Sequence, residues 1–158
     1  MTIILGIDPG YRITGYGILR EYKKKLIYIK SGCILTKLNN ISDRLKIIYS
    51  EITNIIKKFK PKLLSIEKVY ICKNTNSIIK LSQARGVAII AAINLNLLIF
   101  EYTSSRVKKL VTGIGSSNKN EVKKKIIKLF KLNDNIKNDE SDALAMAIAH
   151  FYSQHYLI

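Results

Sequence analysis

The stretch TIILGIDPG, residues 2–10, decides the fold class. Its apolar run from Thr2 to Ile7 is continuous, as in a strand buried on both faces. It ends in Asp8-Pro9-Gly10, a carboxylate followed by a turn. Downstream, residues 13–19 contain Gly15 and Gly17 and read as a second strand. Residues 26–35 alternate loosely and read as a third. Three strands with short connections predict an antiparallel meander.

The period then changes. Leu45, Ile48, Ile52, Ile55 and Phe59 recur at three- and four-residue steps, marking an amphipathic helix that Pro61 closes. Residues 63–69 form a fourth strand with Glu67 near its end. Residues 78–93 form a second helix, apolar nearly all round from Gly86 onward. Residues 97–102 are a fifth strand, followed by a short helix at 106–111 and a glycine-containing loop at 113–117. Asn118 followed by Glu121 resembles a capping box opening a helix that carries Val122, Ile126, Leu129 and Phe130. Residues 142–152 are a last, alanine-rich helix. The order β-β-β-α-β-α-β-α-α predicts a layered α/β domain with a mixed sheet, spanning 1–158 as one unit.

The chain has 158 residues, enough to bury a core without disulfides or metal staples. Lys and Arg number 27 against 11 Asp and Glu, a net charge of +16. That excess points to a polyanion, nucleic acid before an anionic membrane. Richness in Ile, Lys and Asn also fits compositional drift, so position rather than total charge must decide. Cys33 and Cys72 form no C-x-x-C and no disulfide framework, and a reducing cytoplasm is expected. The N-terminus lacks a basic n-region, and the longest apolar run, residues 87–93, is far short of a membrane span. Secreted, membrane and zinc-finger classes are therefore not expected. His150 and His155 read as solvated helix residues, and Cys33 as core. Neither a Ser/His/Asp set nor a Walker-type phosphate loop is present.

Four carboxylates stand apart from the solvated ones. Asp8 and Glu67 each end an apolar strand, where a charge is costly unless paired or bound to metal. Asp139 and Asp142 open the last helix at i and i+3, on one face. Ligands in open α/β sheets gather at the carboxyl ends of strands. If the first and fourth strands are parallel neighbours, Asp8 and Glu67 lie side by side there. The last helix can then cover that edge. An all-oxygen set suits a hard cation such as Mg²⁺ or Mn²⁺. The bland readings are a turn-forming Asp8, a Glu67 paired with lysine, and helix N-terminal charges at Asp139 and Asp142.

At this point the residues resemble a family. GIDPGYRITGYGI (6–18), SIEKVYICKN (65–74), LSQARGVAIIAA (81–92), VTGIGSSNKNEV (111–122) and DESDALAMAIAH (139–150) are similar, in order, to the motifs of the RuvC Holliday-junction resolvases. The resemblance implies an RNase H-like fold, a five-stranded sheet of order 3-2-1-4-5 with strand 2 antiparallel. It implies a homodimer that resolves four-way DNA junctions in recombination and repair by paired symmetric nicks, and the RuvAB branch-migration complex as partner. It implies a catalytic, metal-binding quartet of Asp8, Glu67, Asp139 and Asp142. Arg12, Lys108 and Lys119 match basic positions on DNA, and Tyr70 stands where relatives carry a stacking phenylalanine. Two Mg²⁺ ions (or Mn²⁺) per site then fit, bridging the scissile phosphate. The outer apolar side of the second helix needs a partner, which a twofold dimer supplies. Departures are Tyr70, the Ser117-Asn118 pair, Glu121 and an end at Ile158 soon after the last helix. Two other classes compete: a non-catalytic basic protein binding branched DNA, and an actin–hexokinase-type phosphotransferase, which needs two such domains.

Overall fold

The computed structural model describes residues 1–69 and 75–156. Tyr70 and Cys72 lie outside the described residues. Three strands, β1 (Thr2–Asp8), β2 (Ile13–Tyr22) and β3 (Lys25–Leu35), form the meander. Helix α1 (Ile41–Phe59), strand β4 (Leu63–Glu67), helix α2 (Thr75–Ile93) and strand β5 (Leu98–Tyr102) follow. The chain ends in three helices, α3 (Ser104–Thr112), α4 (Lys119–Phe130) and α5 (Asn138–His155). The sequence order closed on two helices. The short helix at 106–111 is in fact a full element, because Thr103 caps it by accepting from the Arg106 amide and Gly113 ends it at φ 90°.

The five strands form one sheet of order β3-β2-β1-β4-β5. Strand β2 runs antiparallel to β1 and β3, while β1, β4 and β5 are parallel. This is the order and polarity the resemblance implies. Alternation along the central strands sorts residues to the two faces. Leu5, Ile7, Leu64 and Ile66 join a cluster with Ile48, Ile52, Ala84 and Ala88 of α1 and α2. Ile4 and Leu63 join the opposite cluster with Leu144, Ile148, Val107 and Ile126 of α3 to α5. Burial on both faces explains why β1 reads as continuous apolar sequence rather than alternating.

Helix α5 lies directly on the sheet. A Cβ at Gly6 would collide with the Ala143 carbonyl, and one at Gly15 with the Asp139 carbonyl. On the helix side the facing residues are small, with Ala143 and Ala147 fully buried. Ser65, also fully buried, donates to the Met146 carbonyl at 2.7 Å. Glycine on the strands and alanine on the helix thus set the close approach that positions the first turn of α5.

Two histidine expectations need correction. His150 is not solvated but buried, 4% exposed. Its Nδ1 lies 2.9 Å from the Tyr102 hydroxyl and its ring 4.4 Å from that of Phe100. Its position on α5 turns it toward β5, an orientation that the helix pattern alone does not reveal. His155 lies 2.7 Å from Glu21. Cys33 is half-buried in β3 rather than core.

Candidate active site

The site starts with strand parity. Ile4, Gly6 and Asp8 point to the α5 face of β1, and Leu63, Ser65 and Glu67 to the same face of β4. The parallel register pairs Gly6 with Ser65 and Ile7 with Ile66, so the next step sets Asp8 beside Glu67. Helix α5 brings Asp142 over that edge, and α3 and α4 close the sides. The result is a cavity of about 210 Å³ lined by Asp8, Glu67, Asp142, Lys108, Lys119 and Ser104. It opens at the carboxyl ends of β1 and β4, where open α/β sheets bind ligands.

Lys119 is placed by its helix cap. The Asn118 Oδ1 accepts from the Glu121 amide at 3.0 Å, and the Glu121 carboxylate accepts from the Asn118 amide at 2.8 Å. This is the capping box the sequence predicts, and it fixes Lys119 as the first residue of α4. The Lys119 Nζ donates to Asp142 Oδ2 at 2.7 Å. That hydrogen bond holds the ammonium above its usual range.

The carboxylates are short of positive charge even so. Asp8 is pushed up to about 7, first by burial, then by Asp142, with Glu67 and Asp139 adding to the repulsion and Lys119 opposing it. Glu67 is also raised, chiefly by burial, against the lowering influence of Lys119, a hydrogen bond from Ser104, and Lys108. Three carboxylates face two ammonium groups, Lys108 and Lys119, and burial outweighs that countercharge at Asp8 and Glu67.

Asp139 is placed differently from the other three. It lines an adjoining groove with Gly10, Tyr11, Arg12 and Leu81. It is close enough to raise Asp8 but faces the turn between β1 and β2. Among the described residues no three His, Cys, Asp or Glu side chains converge as a ready-made metal cage. The donor chemistry nonetheless fits a hard divalent cation: all ligands are carboxylate oxygens, and the buried Asp8 lacks the countercharge that would let it ionise freely.

Two positioning groups went unread in the sequence. Arg85 of α2 donates from Nε to the Glu67 carbonyl at 2.9 Å and forms an ion pair with Glu101 of β5. It ties the ends of β4 and β5 together behind Glu67. A lone arginine in a helix apolar nearly all round was the available signal. Ser104, the first residue of α3, hydrogen-bonds Glu67 and gives no sequence signal beyond the cap at Thr103. Arg12 lines the adjoining groove rather than the cavity, with its Cζ 5.6 Å from the centre of the Tyr11 ring.

The family model described as crossover junction endodeoxyribonuclease RuvC matches residues 4–150. A protein of that name from Baumannia cicadellinicola is 51% identical over 152 residues, covering 96% of this chain and 88% of the relative. One from Citrobacter koseri is 51% identical over 150 residues, covering 95% and 87%. Among solved structures, T. thermophilus RuvC in complex with Holliday junction substrate aligns with a TM-score of 0.89 at 22% identity, covering 98% of this chain and 95% of that one. The yeast mitochondrial Holliday junction resolvase Ydc2 aligns with a TM-score of 0.69 at 14% identity, covering 96% and 79%. These two structural likenesses bear on the fold alone.

Proposed function

The chain belongs to the RuvC family of crossover junction endodeoxyribonucleases, and on that premise we propose that it resolves four-way DNA junctions as a metal-dependent nuclease with two symmetric sites. The observation that carries the reading is the cavity itself. Asp8, Glu67 and Asp142 meet Lys108 and Lys119 at the open edge of the sheet, and nothing in a purely architectural protein calls for buried carboxylates there.

Asp8, Glu67 and Asp142 would hold Mg²⁺, with Asp139 as the fourth carboxylate reaching in from the adjoining groove. Mn²⁺ is a workable substitute, and two ions per site are what the family resemblance implies. Bound there, divalent ions supply a water of lowered pKa and neutralise charge on the departing oxygen. The chain's own residues do the rest. Lys108 and Lys119 draw the scissile phosphate against its charge. Arg85 and Ser104 keep Glu67 from swinging away. Burial on the sheet edge keeps bulk water from screening these charges. No side chain is needed as a nucleophile.

Several parts of the reading rest on family membership and on chemistry outside the cavity. Arg12 and Tyr70 belong to the DNA surface, Tyr70 as an aromatic ring stacked on an unpaired base at the crossover. A second copy of the chain fits against α2. Ile79, Ile90 and Ile93 are about half exposed along one side of that helix. A Cβ at Gly86, in the same row, would meet no atom within 4 Å. Glycine inside a helix costs about 0.5–1 kcal/mol relative to alanine, which a close helix approach from a partner would repay. RuvAB as the delivering complex and the cytoplasm as location follow from the family; among the described residues no helix is long and apolar enough to cross a membrane.

The test is nicking of a synthetic four-way junction with each strand labelled. The expected result is paired nicks at symmetric positions in Mg²⁺ and none in chelator. Binding without nicking in either Mg²⁺ or Mn²⁺ would favour the non-catalytic reading.

A further inference from the structure

Tyr11 lies in the turn that leaves Asp8, three residues along the chain. Its carbonyl accepts from the Thr36 hydroxyl at 2.6 Å and from Arg44 Nη1 at 3.4 Å. Its ring packs against the core cluster of α1 and α2. The ring's position is therefore built from three elements. Around it stand three cations. The Arg12 Cζ and Arg44 Cζ each lie 5.6 Å from the ring centre, and the Lys80 Nζ lies 5.3 Å from it. Together with Asn39 and Ile41 they line a hollow of about 460 Å³.

Among the described residues no carboxylate pairs with Arg12, Arg44 or Lys80. Asp139 lines the groove beside Arg12 without reaching it as an ion pair. Three like charges each lie within 5.6 Å of one ring centre, where salt screens them only in part. They repel one another in the free protein. A tyrosine face holds cationic heads in place, but it does not neutralise them. An oxyanion in the hollow would. Two guanidinium forks, an ammonium and an amide are the donors that phosphate oxygens take.

We propose that this hollow is a second phosphate site, which takes a DNA backbone phosphate on the same arm as the cleaved one. The proposal rests on the junction-cutting reading above. The groove that shares Tyr11 and Arg12 with the hollow ends at Asp139, so a strand leaving the cavity has a path to it. Three residues of chain between Asp8 and Tyr11 span about 10 Å at most. With one phosphate per roughly 3.4 Å of axis on each strand, the contacted phosphate lies within about four nucleotides of the cut.

The experiment measures junction binding in chelator across a salt series, with single methylphosphonates replacing each phosphate within four positions of the cut. For the wild type, neutralising one or two of these phosphates beyond the scissile one should weaken binding severalfold. The double variant Arg44→Gln/Lys80→Gln should bind at least tenfold more weakly, with a salt slope lower by about two. The same methylphosphonates should then have no further effect on it. Lys80→Gln alone, on an exposed side chain, should lower the slope by about one and serves if the double variant misfolds. Lys24→Gln/Lys57→Gln is the control and should retain the wild-type response to every methylphosphonate. Unchanged affinity and slope, or methylphosphonate penalties that persist in the variant, would overturn the second site. A wild type that binds but never nicks in Mg²⁺ would instead overturn the junction-cutting reading, so the two failures are separable.

Discussion

Asp8 carries two opposite consequences of one placement. Its carboxylate is buried and crowded by Asp142, Glu67 and Asp139, so in metal-free protein it costs stability. Asp8→Asn keeps the shape and removes the charge. It should abolish nicking while retaining junction binding, since affinity comes mainly from phosphate contacts. In chelator near pH 8 it should also melt several degrees above wild type by calorimetry. Full nicking by Asp8→Asn would remove it from the metal site, and a lower melting temperature would mean that the carboxylate is well paired after all. Glu67→Gln should likewise bind and not cut. Tyr70 is argued from sequence alone: it follows a strand-ending carboxylate by three residues. Tyr70→Phe should keep most activity, and Tyr70→Leu should cut slowly while still binding. A fluorescent base at the crossover should report less unstacking with Tyr70→Leu, and wild-type rates for that variant would leave only a packing role. At this scale the sequence was most informative where a charge interrupted an apolar strand, as at Asp8 and Glu67. It was least informative for Asp139. The i and i+3 spacing puts Asp139 and Asp142 on one helix face, but the first turn of α5 straddles two grooves, and the two side chains divide between them.

Helix α5 shows how an element aims its residues. It approaches the sheet over Gly6 and Gly15 so closely that neither position tolerates a Cβ without backbone movement. Gly6→Ala should therefore cost about 1–3 kcal/mol or more, as overpacking does, and shift the turn bearing Asp142. The expected readouts are a lower melting temperature and nicking reduced beyond what the loss of folded protein explains. Unchanged stability would show that α5 does not sit where the glycines place it. Glycines within strands were visible in the sequence, but which helix they admitted was not, because that depends on crossover order. The same limitation hid His150. Its imidazole is held below its ordinary range, first by burial; Glu21 acts to raise it and His155 to lower it further. The folded state then binds its proton less readily than the unfolded chain, whose histidine titrates near 6.5. Stability from this site is full above that value and declines as pH falls below it. Unfolding measured from pH 7.5 to 5.5 should show this loss, and His150→Gln, which keeps a polar group toward Tyr102, should flatten it. An equal decline in the variant would assign the effect to other groups. The apolar stripe that marks α1 begins at Leu45, past the helix's first residue, Ile41; Asn40 caps the helix by accepting from the Ser42 amide at 2.9 Å, and a cap leaves no periodic trace.

The whole molecule keeps its two charged hollows apart from its uncovered apolar row, and that arrangement bears on assembly. The carboxylate cavity and the Tyr11 hollow share the carboxyl edge of the sheet, one beside α3 to α5 and the other beside α1 and α2. The uncovered apolar row of α2 is separate from both. A twofold pairing along that row leaves each cavity open, which a junction with two equivalent strands requires. The composition predicts an unusually apolar α2 but not which isoleucines face outward. In the structure Ile90 is 51% exposed, whereas Ile89 packs against the core cluster of α1 and α2. The two positions should therefore respond differently to a charge. Ile90→Asp should fold with near wild-type secondary structure, sediment as a monomer at micromolar concentration, and make single nicks without the paired partner cut. Ile89→Asp puts an unpaired carboxylate at a half-buried position against the core cluster and should lower the melting temperature whatever the oligomeric state, because a charge is costly to desolvate. Sedimentation separates the cases. If Ile90→Asp remains dimeric and still makes coupled nicks, the interface lies elsewhere and the row on α2 serves another contact. If the wild type is itself monomeric on the junction, two symmetric cuts must come from successive independent visits, and their timing in a single-turnover assay would show no coupling.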